Sequence, residues 1–272
     1  MGEAGRTASL DAFRCWDDAL AGWAIPEELL AAAPESPYGF GVGLFDRLAG
    51  EAMRKETPSR RCAREALPDG GTVLDVGCGG GAASLSLGHQ IGRVIGVDQQ
   101  AGMLQAFAAR AERLGVAHEQ VLGRWPDVAG DTPATDLVVC HHVLYNVGAL
   151  EPFVRALTAH ARRRVVVEMT AEHPLAWLRP LWQRLHGLDR PTRPTVDDAV
   201  TALQELGLAV ELERWDEPSP WKEFGDEVTA FVRRRLCLAA ERGPDIRAAL
   251  IDLGLPHERR LMTTLWWPPT AS

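Results

Sequence analysis

The sequence predicts an α/β fold in which helices cover both faces of a mostly parallel sheet. Short β-branched segments alternate with segments whose apolar residues recur at helical spacing. Two of the strand segments, 138–140 and 165–167, contain no polar residue, which is typical of strands buried on both faces. A glycine-rich turn at 77–81 follows the first strand, at the position where such sheets bind ligands.

The composition excludes several classes of protein. The 272 residues are 46% hydrophobic and 24% charged, which suits one α/β domain with additions. A net charge of −8 repels phosphates, so nucleic acid is not an expected partner. The five scattered cysteines form no CxxC pair and predict neither a disulfide framework nor a metal site. No signal peptide or membrane span is predicted, so we expect a cytoplasmic protein without membrane contact.

Residues 1–66 are predicted to form a helical segment. Apolar spacing between Leu10 and Leu20 predicts a short helix, and a second helix opens at Pro26. Thr57 and Pro58 have the residue types of an N-cap and a first helical position, so a third helix is expected to run to Leu67.

Residues 67–272 are predicted to form the core. Its strands are expected at 72–76, 93–97, 119–122, 136–140, 164–169, 208–212 and 259–267. Its helices are expected at 82–91, 100–114, 150–162 and from Thr195 to Leu206. Two helical additions, at about 171–194 and 220–256, interrupt the strand–helix alternation.

The stretch from Thr72 to Ser84 is the most informative part of the chain. Asp75 ends a strand, and the glycines that follow lead into a helix whose free N–H groups suit an anion. Gly77 and Gly79 also fit a dinucleotide fingerprint, and Asp98, which ends the next strand, suits ribose hydroxyls in either case. Asp75 discriminates between the two, because a carboxylate there suits the ammonium of a methionine moiety.

From about Leu67 to about Thr170 the chain resembles the class I S-adenosylmethionine-dependent methyltransferase family. Segments 73–81, 96–104 and 136–147 are similar to its first, second and fourth motifs, and 123–126 stands where its adenine loop lies. The resemblance implies a Rossmann-like fold with a mostly parallel seven-stranded sheet and S-adenosylmethionine as the cofactor.

The resemblance also implies which residues meet that cofactor. The glycines would line its methionine part, and Asp98 would bind its ribose. Gln99 and Trp125 would border its adenine, and Cys140 would lie beside the sulfonium. Arg124 stands where the family commonly has an acid, so the adenine amino group would fall to backbone or to Asp127. The full set of cofactor candidates is Asp75, Gly77, Cys78, Gly79, Gly81, Asp98, Gln99, Met103, Arg124, Trp125, Cys140 and His141.

The acceptor side is defined less closely. Methyl transfer depends on alignment, and a base helps when the nucleophile is a hydroxyl or an amine. His141, His142 and Tyr145, at the end of the fourth strand, are the catalytic candidates. The candidates for substrate contact are Tyr38, Phe40, Asn146, Glu168, His173 and Trp177. In the family such N-terminal segments cover the acceptor, and we expect the same of residues 1–66.

The leading hypothesis is a methyltransferase acting on a small molecule, such as a secondary metabolite, at oxygen, nitrogen or carbon. Three alternatives stay open at this point. They are an NAD(P)-dependent oxidoreductase, a binding protein that keeps the cofactor site without catalysis, and a methyltransferase whose acceptor is a peptide.

Overall fold

A computed structural model of the chain describes residues 4–38, 50–51, 53–223 and 225–269. Seven strands form one sheet: β1 (Gly71–Val76), β2 (Ile91–Asp98), β3 (Ala117–Leu122), β4 (Thr135–His141), β5 (Ala161–Thr170), β6 (Glu211–Pro218) and β7 (Arg259–Trp267). Their order is β3-β2-β1-β4-β5-β7-β6. The first five strands pair in parallel, and β7 runs antiparallel to both of its neighbours. The predicted fold class is confirmed.

Helices pack on both faces of the sheet. They are α1 (Ala4–Ala21), α2 (Glu27–Ala31), α3 (Pro58–Ala66), α4 (Ala82–Leu85), α5 (Ala101–Leu114), α6 (Leu150–His160), α7 (Arg179–His186), α8 (Val196–Glu205), α9 (Gly225–Arg235) and α10 (Gly243–Asp252). In the part of the chain that is described, no helix has the length and apolar character needed to cross a membrane.

Local sequence signals explain several of the helix starts. The hydroxyl of Thr57 accepts a hydrogen bond from the N–H of Arg60, which caps α3. Thr195 and Asp198 form a reciprocal capping box at the start of α8. Both N-caps stand where the sequence predicts them.

Two predicted elements are wrong in their bounds. The strand expected at 208–212 is β6, which begins at Glu211 and continues to Pro218. Leu208 and Val210 instead pack into the core ahead of the strand, while the edge strand itself is mostly charged and gives a weak sequence signal. The helix expected at 82–91 ends at Leu85, because the chain must turn to start β2 at Ile91.

Two hydrophobic clusters cover the two faces of the sheet, and a third joins α7, α9 and α10. One layer joins α1, α6 and α8 to the sheet and contains the fully buried Trp16 and Trp267. The indole N–H of Trp16 donates to the carbonyl of Val147 over 2.8 Å, so the N-terminal helix is tied to the segment that follows β4. The other layer, around Phe107, packs α3 and α5 on the opposite face.

The topology brings one end of every strand to the same edge of the sheet. The carboxyl ends of β1, β2, β3, β4 and β5 lie there because those strands are parallel. The start of β7 also lies there, since Thr170 pairs with Met262 and Pro218 pairs with Arg259. In such sheets ligands bind beyond this edge.

Candidate active site

The turn between β1 and α4, which we call the glycine loop (Gly77–Gly81), has a backbone that favours glycine. Gly77 and Gly79 have φ values of +71° and +50°. A Cβ atom on Gly77 would lie 2.4 Å from Cγ2 of Val143, so this glycine allows the loop to pack against the end of β4. A Cβ atom on Gly79 would meet nothing within 4 Å. The loop is therefore open above Gly79, where a ligand can approach bare backbone.

Asp75 holds a buried carboxyl group beneath the glycine loop. Its Oδ2 accepts hydrogen bonds from the hydroxyl of Ser84 at 2.6 Å and from the N–H of Ser84 at 3.3 Å. Burial raises the pKa of Asp75 to about 6, although the two hydrogen bonds from Ser84 lower it. The nearby negative charge of Asp98 adds to the rise. No cation pairs with Asp75 among the described residues, so a cationic ligand group would stabilise its charged form.

Asp98 lies at the end of β2 on the rim of the glycine loop. Its Oδ2 accepts from the N–H of Gly79 at 3.0 Å, and its Oδ1 accepts from the N–H of Gln100 at 2.9 Å. The two bonds fix the orientation of the carboxylate. Each oxygen keeps a further lone pair, so both can still accept from a pair of hydroxyl groups.

The other cofactor candidates differ in how far their side chains can reach a ligand. Gln99 and Arg124 are exposed at the same edge of the sheet. Met103 and Trp125 are buried, and the indole of Trp125 packs on His160 with its N–H 3.4 Å from the carbonyl of Phe153. The role of Trp125 at an adenine stays a prediction.

Both cysteines among the candidates lie inside the core. Burial raises the pKa of the Cys78 thiol and of the Cys140 thiol, and both side chains belong to the apolar clusters. Any contact of Cys78 with a ligand in the loop is therefore through its backbone.

Two histidines and a glutamate meet where β4 and β5 end. Nε2 of His142 lies 3.2 Å from Oε1 of Glu168, and Nδ1 of His141 lies 4.0 Å from the same oxygen. The N–H of His142 also donates to the carbonyl of Glu168 over 2.7 Å, and His142 holds a positive φ of +60°. Such backbone strain in a non-glycine residue is concentrated at functional sites.

Glu168 is an ionised carboxylate in this cluster. Burial opposes ionisation, but His141, the hydrogen bond from His142 and the hydroxyl of Ser59 outweigh it and hold the pKa of Glu168 at about 2. Burial lowers the pKa of His141, whose Nε2 is enclosed without a partner among the described residues. The side chain of His142 is 41% exposed, so of the two histidines it is the one that can meet a substrate.

Tyr145, the third catalytic candidate, faces the interior. Its hydroxyl donates to the carbonyls of Thr170 and Ala171, at 2.9 and 3.2 Å. Burial raises the pKa of this phenol, so it keeps its proton at neutral pH and is not available as a base, and its catalytic role stays a prediction. Asn146 is exposed, with its amide bonded to the carbonyl of Val143 at 3.2 Å.

A cavity of about 950 Å³ lies beyond the end of β5, and we call it the arginine cavity. Its lining residues include His173, Trp177, Arg179, Arg190, Trp221 and Arg259. His173 stacks on Trp23, 3.8 Å between ring centres. Burial lowers the pKa of His173 to about 3, with a contribution from Arg190 and Arg235.

Sequence reasoning reached only part of this cavity. His173 and Trp177 line it, whereas Tyr38 is an exposed residue outside its lining, and Phe40 lies outside the described residues. The arginines of the cavity were missed. Apart from the adjacent Arg259 and Arg260 they come from separate segments, so no local pattern in the sequence groups them.

Comparisons with known proteins find a methyltransferase domain in the chain. Residues 73–164 match a family model described as a methyltransferase domain. A curated protein of Pyrobaculum calidifontis named "Probable cobalt-precorrin-6B C(15)-methyltransferase (decarboxylating)" is 29% identical over 189 residues, which are 66% of this chain and 83% of that protein.

Two solved structures share the fold at 15% identity. A cyclopropane-fatty-acyl-phospholipid synthase-like protein from Lactobacillus casei has a TM-score of 0.54 over 89% of this chain and 98% of its own. A coclaurine N-methyltransferase has a TM-score of 0.50 over 97% of each chain.

The chain has the sheet order and the glycine loop of the class I S-adenosylmethionine-dependent methyltransferase fold, and its residues 73–164 match a methyltransferase domain. It is therefore a methyltransferase, and its cofactor is S-adenosylmethionine. The open backbone above Gly79 and the unpaired Asp75 fit that cofactor, because its methionine part carries an ammonium group. The nicotinamide alternative is set aside.

Asp75 gives cofactor binding a predicted pH dependence. S-adenosylhomocysteine keeps its ammonium between pH 5 and 7.5, whereas Asp75 gains a proton as the pH falls through about 6. We expect the affinity measured by calorimetry to fall about tenfold between pH 7 and pH 5, as one titrating group predicts.

Asp75→Asn is the matched control for this pH dependence. It should bind more weakly at pH 7 and show a flatter profile. Because the folded-state pKa of this acid is raised, its contribution to stability is present below the ordinary pKa of 3.8 and is lost as pH rises through about 6. The Tm of Asp75→Asn without ligand should therefore not fall at pH 7. An equally steep pH profile in the variant would contradict the role of Asp75.

Proposed function

We propose that this methyltransferase acts on a small molecule bound in the arginine cavity, with His142 as the general base. The observation that carries the proposal is the position of the cavity. It begins at Thr170 and Ala171, whose carbonyls accept from Tyr145, and it lies at the same edge of the sheet as the glycine loop. A concave cavity of about 950 Å³ suits a small molecule better than a protein surface.

The name of the curated relative in Pyrobaculum calidifontis supports a small-molecule acceptor, since it specifies methylation of a cobalt-precorrin. We carry over only the class of acceptor, because 29% identity leaves room for a different substrate. The methylated atom and the identity of the acceptor are not part of the proposal.

Glu168 and His142 support a proton-transfer step. The ionised Glu168 accepts from Nε2 of His142, so the proton of the neutral ring resides on Nε2 and the lone pair on Nδ1. His142 can then take the proton of an acceptor hydroxyl or amine, while Glu168 holds the ring in place and stabilises the imidazolium that forms. Bound S-adenosylmethionine supplies the electrophilic methyl group.

The test is a transfer assay with S-adenosylmethionine labelled in its methyl group. The full chain is offered small-molecule extracts and, in parallel, a library of basic peptides. We expect label in the small-molecule fraction. Label in peptides alone would favour the peptide alternative, and no transfer despite intact binding of S-adenosylhomocysteine would favour a non-catalytic binding protein.

Substitution of His142 tests the proposed base on the acceptor found by that assay. His142→Ala should lower kcat by about 10²–10⁴-fold while the affinity for S-adenosylhomocysteine stays the same. His89→Ala, at an exposed histidine between α4 and β2, is the control and should change neither quantity. An unchanged kcat in His142→Ala would exclude the base.

A further inference from the structure

The charge of the arginine cavity differs from that of the whole chain. The net charge of the protein is −8, yet the lining contains five arginines and three carboxylates. Two of the arginines are neutralised by acids, since Arg214 pairs with Asp197 and Arg260 pairs with Glu217. The other three, Arg179, Arg190 and Arg259, form no ion pair among the described residues. The lining carboxylates of Glu172 and Asp189 form none either, so the unpaired groups leave an excess of one positive charge.

Arg190 is held in place without an acid. Its two terminal nitrogens donate to the carbonyls of Trp23 and Ala24, and its guanidinium lies 5.0 Å from the ring centre of Trp182. Its Nε is buried and has no acceptor among the described residues. Burial lowers the pKa of Arg190, so a nearby anion would stabilise its charge.

Arg179 lies at the start of α7 on the wall of the same cavity. It is half-buried and makes no hydrogen bond or ion pair among the described residues. A guanidinium that is partly removed from water costs free energy unless its donors are used. Its side chain is available to an oxygen anion of a ligand.

Two tryptophans form an aromatic part of the cavity wall. The rings of Trp177 and Trp221 lie 6.1 Å apart at an angle of 33°, and Trp221 stacks on Phe231 at 4.3 Å. Nε1 of Trp177 is buried without an acceptor in the described part of the chain. A flat ring system can pack on this wall while an acidic group reaches the arginines.

We infer that the acceptor is an aromatic carboxylic acid whose carboxylate is bound by Arg179 and Arg190 and whose ring packs on Trp177 and Trp221. This inference rests on the proposed function, because it takes the arginine cavity to be the acceptor site. The arginines act in binding and orientation, and the carboxylate is not itself required to be the methylated group.

The test compares acids with neutral molecules of the same shape. Benzoate, 2-naphthoate and anthracene-2-carboxylate are titrated calorimetrically into the full chain saturated with S-adenosylhomocysteine, alongside the corresponding amides. We expect at least one acid to bind about tenfold or more tightly than its amide, with an affinity that falls as salt is added. Equal affinity of every acid and its amide, or binding of none of the acids, would overturn the inference.

Variants assign the site within the same experiment. Arg179→Gln and Arg190→Gln should remove the preference for the acid, and leave the affinity for S-adenosylhomocysteine unchanged. Arg184→Gln is the matched control, since Arg184 lies on the same helix but pairs with Asp252 and does not line the cavity. Arg179 makes no hydrogen bond or ion pair in the described fold, so its variant stays informative even if Arg190→Gln unfolds.

The experiments distinguish failure of the cofactor site, of the proposed function and of the acidic acceptor. If the unmodified chain did not bind S-adenosylhomocysteine, the cofactor site itself would be wrong. Intact cofactor binding and transfer to a neutral acceptor would leave the proposed function in place and remove only the acidic acceptor. A preference for acids that survives both cavity variants would place the anion site elsewhere and overturn the inference.

Discussion

Asp98→Ala is expected to abolish measurable binding of S-adenosylhomocysteine. The carboxylate is already oriented by the N–H groups of Gly79 and Gln100, so it can accept both ribose hydroxyls without reorganisation. A hydrogen bond to a charged group contributes about 1.5–3 kcal/mol, so loss of two weakens binding by roughly 10²–10⁴-fold. Calorimetric titration with S-adenosylhomocysteine measures this directly, and NAD and NADP should give no signal.

The control for Asp98→Ala is a second carboxylate at the opposite edge of the sheet. Asp136 accepts from the N–H and the hydroxyl of Thr72, at 2.8 and 2.7 Å, near the start of β4. Asp136→Ala should lower the Tm and leave the affinity for the cofactor product unchanged. If both variants lost binding equally, the effect of Asp98 would be a general consequence of a weakened sheet.

Gly77→Ala is expected to destabilise the folded protein strongly. The new Cβ would lie 2.4 Å from Cγ2 of Val143, and alanine at a φ of +71° adds backbone strain of about 1–2 kcal/mol. Overpacking of a tight contact costs about 1–3 kcal/mol in addition. Thermal unfolding should show a marked fall in Tm, and Val143→Ala in the same chain should restore the steric part of it.

Gly79→Ala should weaken cofactor binding more than it lowers stability. Its Cβ meets no protein atom within 4 Å, so the loss of stability is limited to backbone strain. The methyl group would instead occupy the open face of the loop and weaken binding of S-adenosylhomocysteine. Gly70→Ala, with a φ of +70° and an equally open Cβ away from the loop, measures the backbone cost alone. Unchanged binding in Gly79→Ala would mean that the cofactor does not lie against this face.

The sheet and the cofactor loop were predictable from the sequence because their signals are local. The strands β1, β2, β4 and β5 each contain a short apolar segment, and the residues of the glycine loop follow one another in the chain. Asp98 can be identified as soon as the end of the second strand is located in the sequence. The bounds of β6 were not predictable, since an edge strand of charged residues is defined by its pairing with β7.

The side-chain environments were not predictable, because they depend on which distant segments meet. Trp125 matches the adenine loop in sequence, yet its ring is buried against His160. Glu168 was expected to contact substrate, and it is the pairing of β4 with β5 that places its carboxylate against His142. No pattern along the chain predicts the distance between Glu168 and His142.

The sequence by itself determined the order of strands and helices, the glycine loop and the class of cofactor. Only the tertiary structure decided that the exposed histidine of the pair is His142 and that Tyr145 is committed to backbone carbonyls. It also decided that Arg179, Arg190 and Arg259 line one cavity. The physical reason is that backbone propensity and turn chemistry act over a few residues, whereas burial and charge are set by contacts between segments far apart in the chain.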